Sequence, residues 1–234
     1  TIIFIIILTA ANAAFSQEAI LDENVAAYYE TEKNFGQNRK HYIHFYLGTE
    51  FAAGPAENIK IRYGNSGSTI LGVRYKRKIL NFYAIGLDLN YHHTNFRIDE
   101  KNDTFLDLVI HSKERLVFDM AGLEFYNRIN IGKRGNFIGN FVDLGLYTNY
   151  IIGARHVTID KYNDDVQLHY KREKSVYTEL DYIENTHYGI RARIGINRYV
   201  LCGSYRLDHM IKKQNGIQPA VLPLYNIGLQ IGIH

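Results

Sequence analysis

The closing stretch of the chain, Leu224 to His234, constrains the fold more than any other, because it alternates without a fault. Tyr225, Ile227, Leu229, Ile231 and Ile233 share one face, and Asn226, Gly228, Gln230, Gly232 and His234 share the other. A period of two marks a β-strand with a different environment on each side. The polar face carries glycine and small amides, with no Lys or Glu. A solvated surface is richer in charge, so this face reads as a crowded polar interior. The aliphatic face is then the outside, and an outside of that kind is stable in lipid.

The same pattern recurs upstream. Tyr83, Ile85, Leu87, Leu89 and Tyr91 face one way, and Ala84, Gly86, Asp88, Asn90 and His92 the other. Eight steps at about 3.4 Å give roughly 27 Å of strand. Tilted by about 40°, that covers roughly 20 Å of height, close to the apolar band of an outer-membrane barrel. Further alternating stretches cover about 41–51, 68–76, 115–128, 140–153, 185–197 and 199–208. The register of 116–120 is ambiguous. The result is about eight strands, with connections alternating long and short. Tight turns are expected at Arg77-Lys78, at Gly132 to Gly135 and at Asn197-Arg198. Outer loops are expected at 52–67, at 93–114 with short strand extensions, at 155–181 and at 209–223. The predicted fold is all-β: a transmembrane antiparallel up-and-down β-barrel with short periplasmic turns and long outer loops.

Composition agrees. The chain has 234 residues, 19 Tyr, 12 Phe, 19 Gly and no Trp, with 46% hydrophobic residues. That suits one barrel domain with close-packed strands and tyrosine at a membrane interface. A net charge of +3 is too small to imply a nucleic-acid partner. The lone Cys202 forms no internal disulfide and reads as a small buried side chain.

At the front, Ile2 to Leu8 is a short apolar run followed by small residues. It reads as a secretory signal peptide over 1–16, with the charged n-region and starting Met clipped away. Cleavage fits after Ala13 or after Ser16, and Ser16 is preferred. The run is well short of the roughly 20 residues of a spanning helix. No Cys near the site supports lipoprotein processing. Residues 17–39 read as a periplasmic lead-in, and 40–234 as the barrel.

The inferred lumen holds Glu50, Arg74, Lys76, Asp88, Glu124, Asp143, Arg191, Arg193, Arg206 and Asp208. A barrel of about eight strands is filled by its own side chains, so these residues read as a polar network. Tyr83, Tyr91, Tyr150, Tyr188, Tyr205 and Tyr225 read as aromatic girdles. The candidates for chemistry are His92 and His93 with Asp88, and Asp208 with His209, near the outer ends of strands. No Ser/His spacing accompanies them. His41 and His44 fall on opposite faces, so they make poor joint metal ligands, and no metal or cofactor is expected. The basic residues Lys76, Arg77, Lys78, Lys133, Arg134 and Arg198 are expected at the periplasmic end.

The terminal strand resembles the C-terminal signal of bacterial outer-membrane barrels, from which it departs by ending in Ile233-His234 instead of Phe. The Phe15-Ser16-Gln17 junction resembles exported proteins of the Bacteroidetes. Together with the alternating strands and the Leu229 to Ile233 close, it resembles the Bacteroidetes outer-membrane β-barrel superfamily, PorT-like proteins included. The resemblance is one of pattern and quotes no subgroup motif. It implies an outer-membrane location and a terminal strand read by the barrel assembly machinery. It also implies a non-enzymatic role as a structural or accessory subunit of an envelope complex, such as type IX secretion or surface uptake. A small channel and a rim-located lipid-modifying or proteolytic enzyme are the alternatives. A soluble lipocalin-type barrel is the competing fold. Its outside would carry Lys and Glu where this chain has Gly and Asn.

Overall fold

The computed structural model describes residues 40–99, 112–132, 139–161, 172–178, 180–212 and 221–233. The expected signal peptide and lead-in lie outside them. Nine strands form one antiparallel sheet: β1 (His41–Ala53), β2 (Gly67–Lys78), β3 (Tyr83–Ile98), β4 (Lys113–Ile131), β5 (Asn140–Lys161), β6 (Arg172–Tyr177), β7 (Thr186–Ile196), β8 (Tyr199–Arg206) and β9 (Tyr225–Ile233). Each strand from β1 to β5 pairs with the next. The lower half of β5 pairs with β7, and β7, β8 and β9 follow in order. β9 then pairs back onto β1, with Leu47 opposite Ile231, so all but β6 form a closed ring. β6 lies along the far end of β5, outside that circuit.

Three sequence expectations need correction. First, the count of about eight misses β6, a short strand inside the supposed loop 155–181. Second, β5 runs further than expected, to Lys161, whereas the strand extensions expected within 93–114 are the end of β3 at Ile98 and the start of β4 at Lys113. The cause on β5 is a bulge: the register against β4 slips between Asp119 and Met120, where Ile152 is the extra residue. A bulge shifts the side-chain alternation by one. Outward positions on β5 are therefore even-numbered up to Ile152 and odd-numbered from Gly153, which hides the strand from a period-two reading. Third, the turn after β2 is not Arg77-Lys78. Both residues are within the strand, and Lys76 is buried, its ammonium 5.8 Å from the Tyr42 ring centroid. The turn is Ile79 to Phe82, closed by hydrogen bonds between Leu80 and Tyr83, and Ile79, Leu80 and Phe82 are exposed. Arg198 does sit in the β7–β8 turn beside Asn197, whose φ is 57°. Lys133 and Arg134 lie outside the described residues.

The alternation separates two environments. Outward side chains are aliphatic and exposed: Leu89, Leu144, Leu146 and Leu229 are all above 60% exposed. Inward side chains are polar and buried. Close strand approach depends on glycines directly opposite large rings. Tyr46 faces Gly72, Tyr126 faces Gly86, Tyr147 faces Gly189 and Phe141 faces Gly195. A Cβ on Gly86 would run into the Tyr126 ring and the Tyr75 carbonyl, to which the Tyr126 hydroxyl donates at 3.0 Å. Overpacking of this kind costs about 1–3 kcal/mol. Gly86→Val is expected to lower the urea midpoint accordingly; an unchanged midpoint would show that the ring moves aside freely.

At the end bearing the long connections, the interior turns apolar. Phe96, Ile98, Leu116, Phe118, Met120 and Ile151 point in from the strands. Ile59, Ile61, Ile183, Met210, Ile211 and Leu222 meet them from the connections. Bridges Glu57–Val221, Ile61–Ile98 and Ile183–Ile211 lace these segments together. This cap explains the ambiguous register of 116–120: Val117, on the outer face, is buried as well.

Candidate functional site

The central interior is a charge network. The sheet alternation puts Glu50, Arg74, Asp88, Glu124, Arg128, Asp143, Arg191 and Arg193 inside, each at most 3% exposed. Arg74 donates to Asp88 at 2.8 Å and to Gln230 at 2.9 Å. Asp88 also accepts from the Tyr46 hydroxyl at 2.7 Å and from Asn90 at 3.0 Å. Arg128 makes a two-pronged contact with Asp143, 2.7 Å on each prong. Arg193 is the hub, reaching Asp88, Glu124 and Asp143 at 3.2 Å each. Its Nη2 lies 2.6 Å from Glu124 Oε1, a close ion pair angled poorly for a hydrogen bond. Arg191 meets Glu124 at 3.1 Å and Glu50 at 3.5 Å.

Each guanidinium also lies over an aromatic ring. Arg128 is 3.6 Å from the Phe141 centroid, Arg74 4.3 Å from Tyr46, Arg193 4.9 Å from Tyr126 and Arg191 5.0 Å from Tyr147. Guanidinium is planar and weakly hydrated, so it can stack on a ring while its edge donates to carboxylates. Four cations face four carboxylates, and the balance removes the net charge that burial would punish.

Between network and cap lies a small polar space lined by His92, Asn149, His187, Ser204 and Arg206 among others, about 30 Å³ in volume. That is room for about one water. Asn149 Oδ1, His92 Nε2 and His187 Nε2 have no partner among the described residues. Arg206 donates to the carbonyls of Asp208 at 3.0 Å and Leu222 at 3.1 Å, tying the β8–β9 connection down.

The catalytic candidates do not converge. His92 points in and His93 points out. Asp88 is committed to arginines. Asp208 bonds His187 at 2.8 Å in place of His209. His93 instead meets Asp119 at 2.7 Å across the outer wall, and Asp119 also takes the Tyr91 hydroxyl at 2.7 Å and Arg155 at 2.6 Å. The sequence reading missed this cluster because Asp119 lies in the ambiguous stretch; extending the alternation back from Ala121 places it outward. It also missed Arg128, which the alternation of Glu124 and Tyr126 puts inside. Of the six tyrosines singled out, Tyr91, Tyr150, Tyr188 and Tyr225 are exposed on the outer face, and Tyr83 and Tyr205 are half-buried. All five outward residues of β9, Tyr225, Ile227, Leu229, Ile231 and Ile233, are exposed. The chain matches no protein-family model and no curated protein.

Proposed function

We propose that the chain is a non-enzymatic outer-membrane β-barrel that acts as a structural or accessory subunit of an envelope complex. The observation that carries the reading is the inversion of the ring: arginines and carboxylates fill the inside, and aliphatic side chains cover the outside. Soluble monomers rarely expose contiguous apolar patches above a few hundred Å². A closed strand ring leaves no unpaired backbone edge for lipid to meet. Among the described strands only β6 stands outside the circuit, at the end where β5 has passed beyond the aliphatic belt.

Two features argue for a subunit over a channel or an enzyme. The interior is filled in sequence by the charge network, the small polar space and the apolar cap. The histidines proposed for chemistry face different ways. The kinship with Bacteroidetes envelope barrels, and with secretion or uptake machinery, is part of the same proposal. It is tested by pull-down of the tagged chain from outer membranes in mild detergent, with mass spectrometry. A stoichiometric partner is the expected result, with no conductance steps in a planar bilayer. Recovery of the chain alone from a membrane fraction would end the subunit reading, and steady unit conductance would replace it with a channel.

A further inference from the structure

Outward positions change character together on neighbouring strands. On β3 the series Leu87, Leu89, Tyr91 gives way to His93, Asn95 and Arg97. On β4, Leu123 and Ala121 give way to Asp119, Val117 and Arg115. On β5, Tyr150 and Ile152 give way, past the bulge, to Arg155 and Val157. β6 adds Lys174, opposite Ile159. The outer wall here holds a groove of about 630 Å³, whose polar lining includes Thr69, His93, Asn95, Arg115, Arg155 and Lys174, together with Glu50, whose carboxylate is turned inward to Arg191 at 3.5 Å. A second hollow of about 220 Å³ shares Arg115 and Lys174 and adds Arg97, Lys113 and Arg172. Among the described outward residues of β3 to β6 the acid is Asp119, already held by His93, Tyr91 and Arg155. Glu114 is turned inward to His156 at 2.6 Å.

We propose that this groove binds the phosphate-bearing headgroup of a lipid in the outer leaflet. The inference rests on the membrane reading above. Arg115 presents a planar fork that matches phosphate oxygens, and Lys174 adds a point charge. Thr69 offers a neutral hydroxyl donor at the groove wall. The aliphatic belt begins directly below, at Tyr91, Ala121 and Ile152, where acyl chains of the same molecule would lie. A free phosphate would leave that adjacency unused, which favours the lipid as the source. Clusters of basic side chains at a membrane boundary attract anionic headgroups in this way.

The test is native mass spectrometry of the folded full chain in detergent, with three probes: lipid A, lipid A stripped of its phosphates, and inorganic phosphate. The parent is expected to retain lipid A. Arg115→Ala combined with Lys174→Ala is expected to weaken retention roughly tenfold or more. Both side chains are exposed, so the urea midpoint of the double variant is expected to stay put. Unchanged retention in the double variant overturns the inference, and so does equal retention of the stripped lipid. Inorganic phosphate bound as well as lipid A overturns the lipid source. Flotation with phosphatidylcholine vesicles separates the two levels. A chain that does not float overturns the membrane reading and this inference with it. A chain that floats yet ignores lipid A overturns this inference alone.

Discussion

Arg128→Met is expected to destabilise the folded chain by about 3–5 kcal/mol, the usual cost of removing one partner from a buried ion pair. Arg128 is fully buried, bonds Asp143 on both oxygens and covers Phe141. Its loss leaves the interior with one carboxylate too many. Arg193 cannot make up the difference, because it already serves Asp88 and Glu124 as well as Asp143. Adding Asp143→Leu restores the balance: Arg74, Arg191 and Arg193 then face Glu50, Asp88 and Glu124. Apolar replacement of a whole buried pair is often neutral or stabilising. The double variant is therefore expected to recover most of the lost stability, read as urea midpoints of the refolded protein and two single variants. The outcome bears on function. A cost below about 1 kcal/mol for Arg128→Met would be the behaviour of a solvated pair. Water would then reach the centre of the ring, and the channel reading would regain its footing.

How much of this was legible beforehand depended on how different the two faces of each strand are. β3 and β9 carry aliphatics against Gly, Asn and Asp, so the alternation announces itself along their central spans. The extensions of β4 and β5 do not, because both of their faces are partly apolar. Phe118 enters the cap while Val117 is buried on the other side, and the bulge at Ile152 then reverses the parity. The turn at Ile79 to Phe82 was misplaced because turns are expected to be polar and this one is not. Interior residues follow from parity alone, Arg128 included. Their partners do not. Arg193 and Asp88 are 105 residues apart and meet across the ring, a contact set by closure and side-chain reach. The His93–Asp119 cluster lies between these cases, readable once β3 and β4 are paired in register and invisible before that.

Leu146→Arg is the substitution whose cost separates lipid from water around the ring. Leu146 is 64% exposed on the outer face, with Phe125 and Ile190 opposite it on the neighbouring strands. Along β5 it falls in the middle of the outward series from Val142 to Ile152. In water such a position tolerates Arg, and surface changes away from special features stay within about 0.5 kcal/mol. In a bilayer the guanidinium must be buried in hydrocarbon or reach for the interface, and Arg near the midplane of a strand barrel costs about 2–4 kcal/mol. The expected result, for chain refolded into phosphatidylcholine vesicles and unfolded in urea, is a loss in that range. His93→Arg serves as the control. It sits above the belt, where an Arg can keep the contact that His93 makes with Asp119 and where the cost of Arg falls toward zero. A depth dependence of this kind comes from the solvent and not from packing, since neither side chain is in the core. Equal, negligible effects at both positions, in a chain that stays dispersed without detergent, would mean that water bathes the whole outer face. The inverted ring would then be a soluble subunit instead of a membrane one.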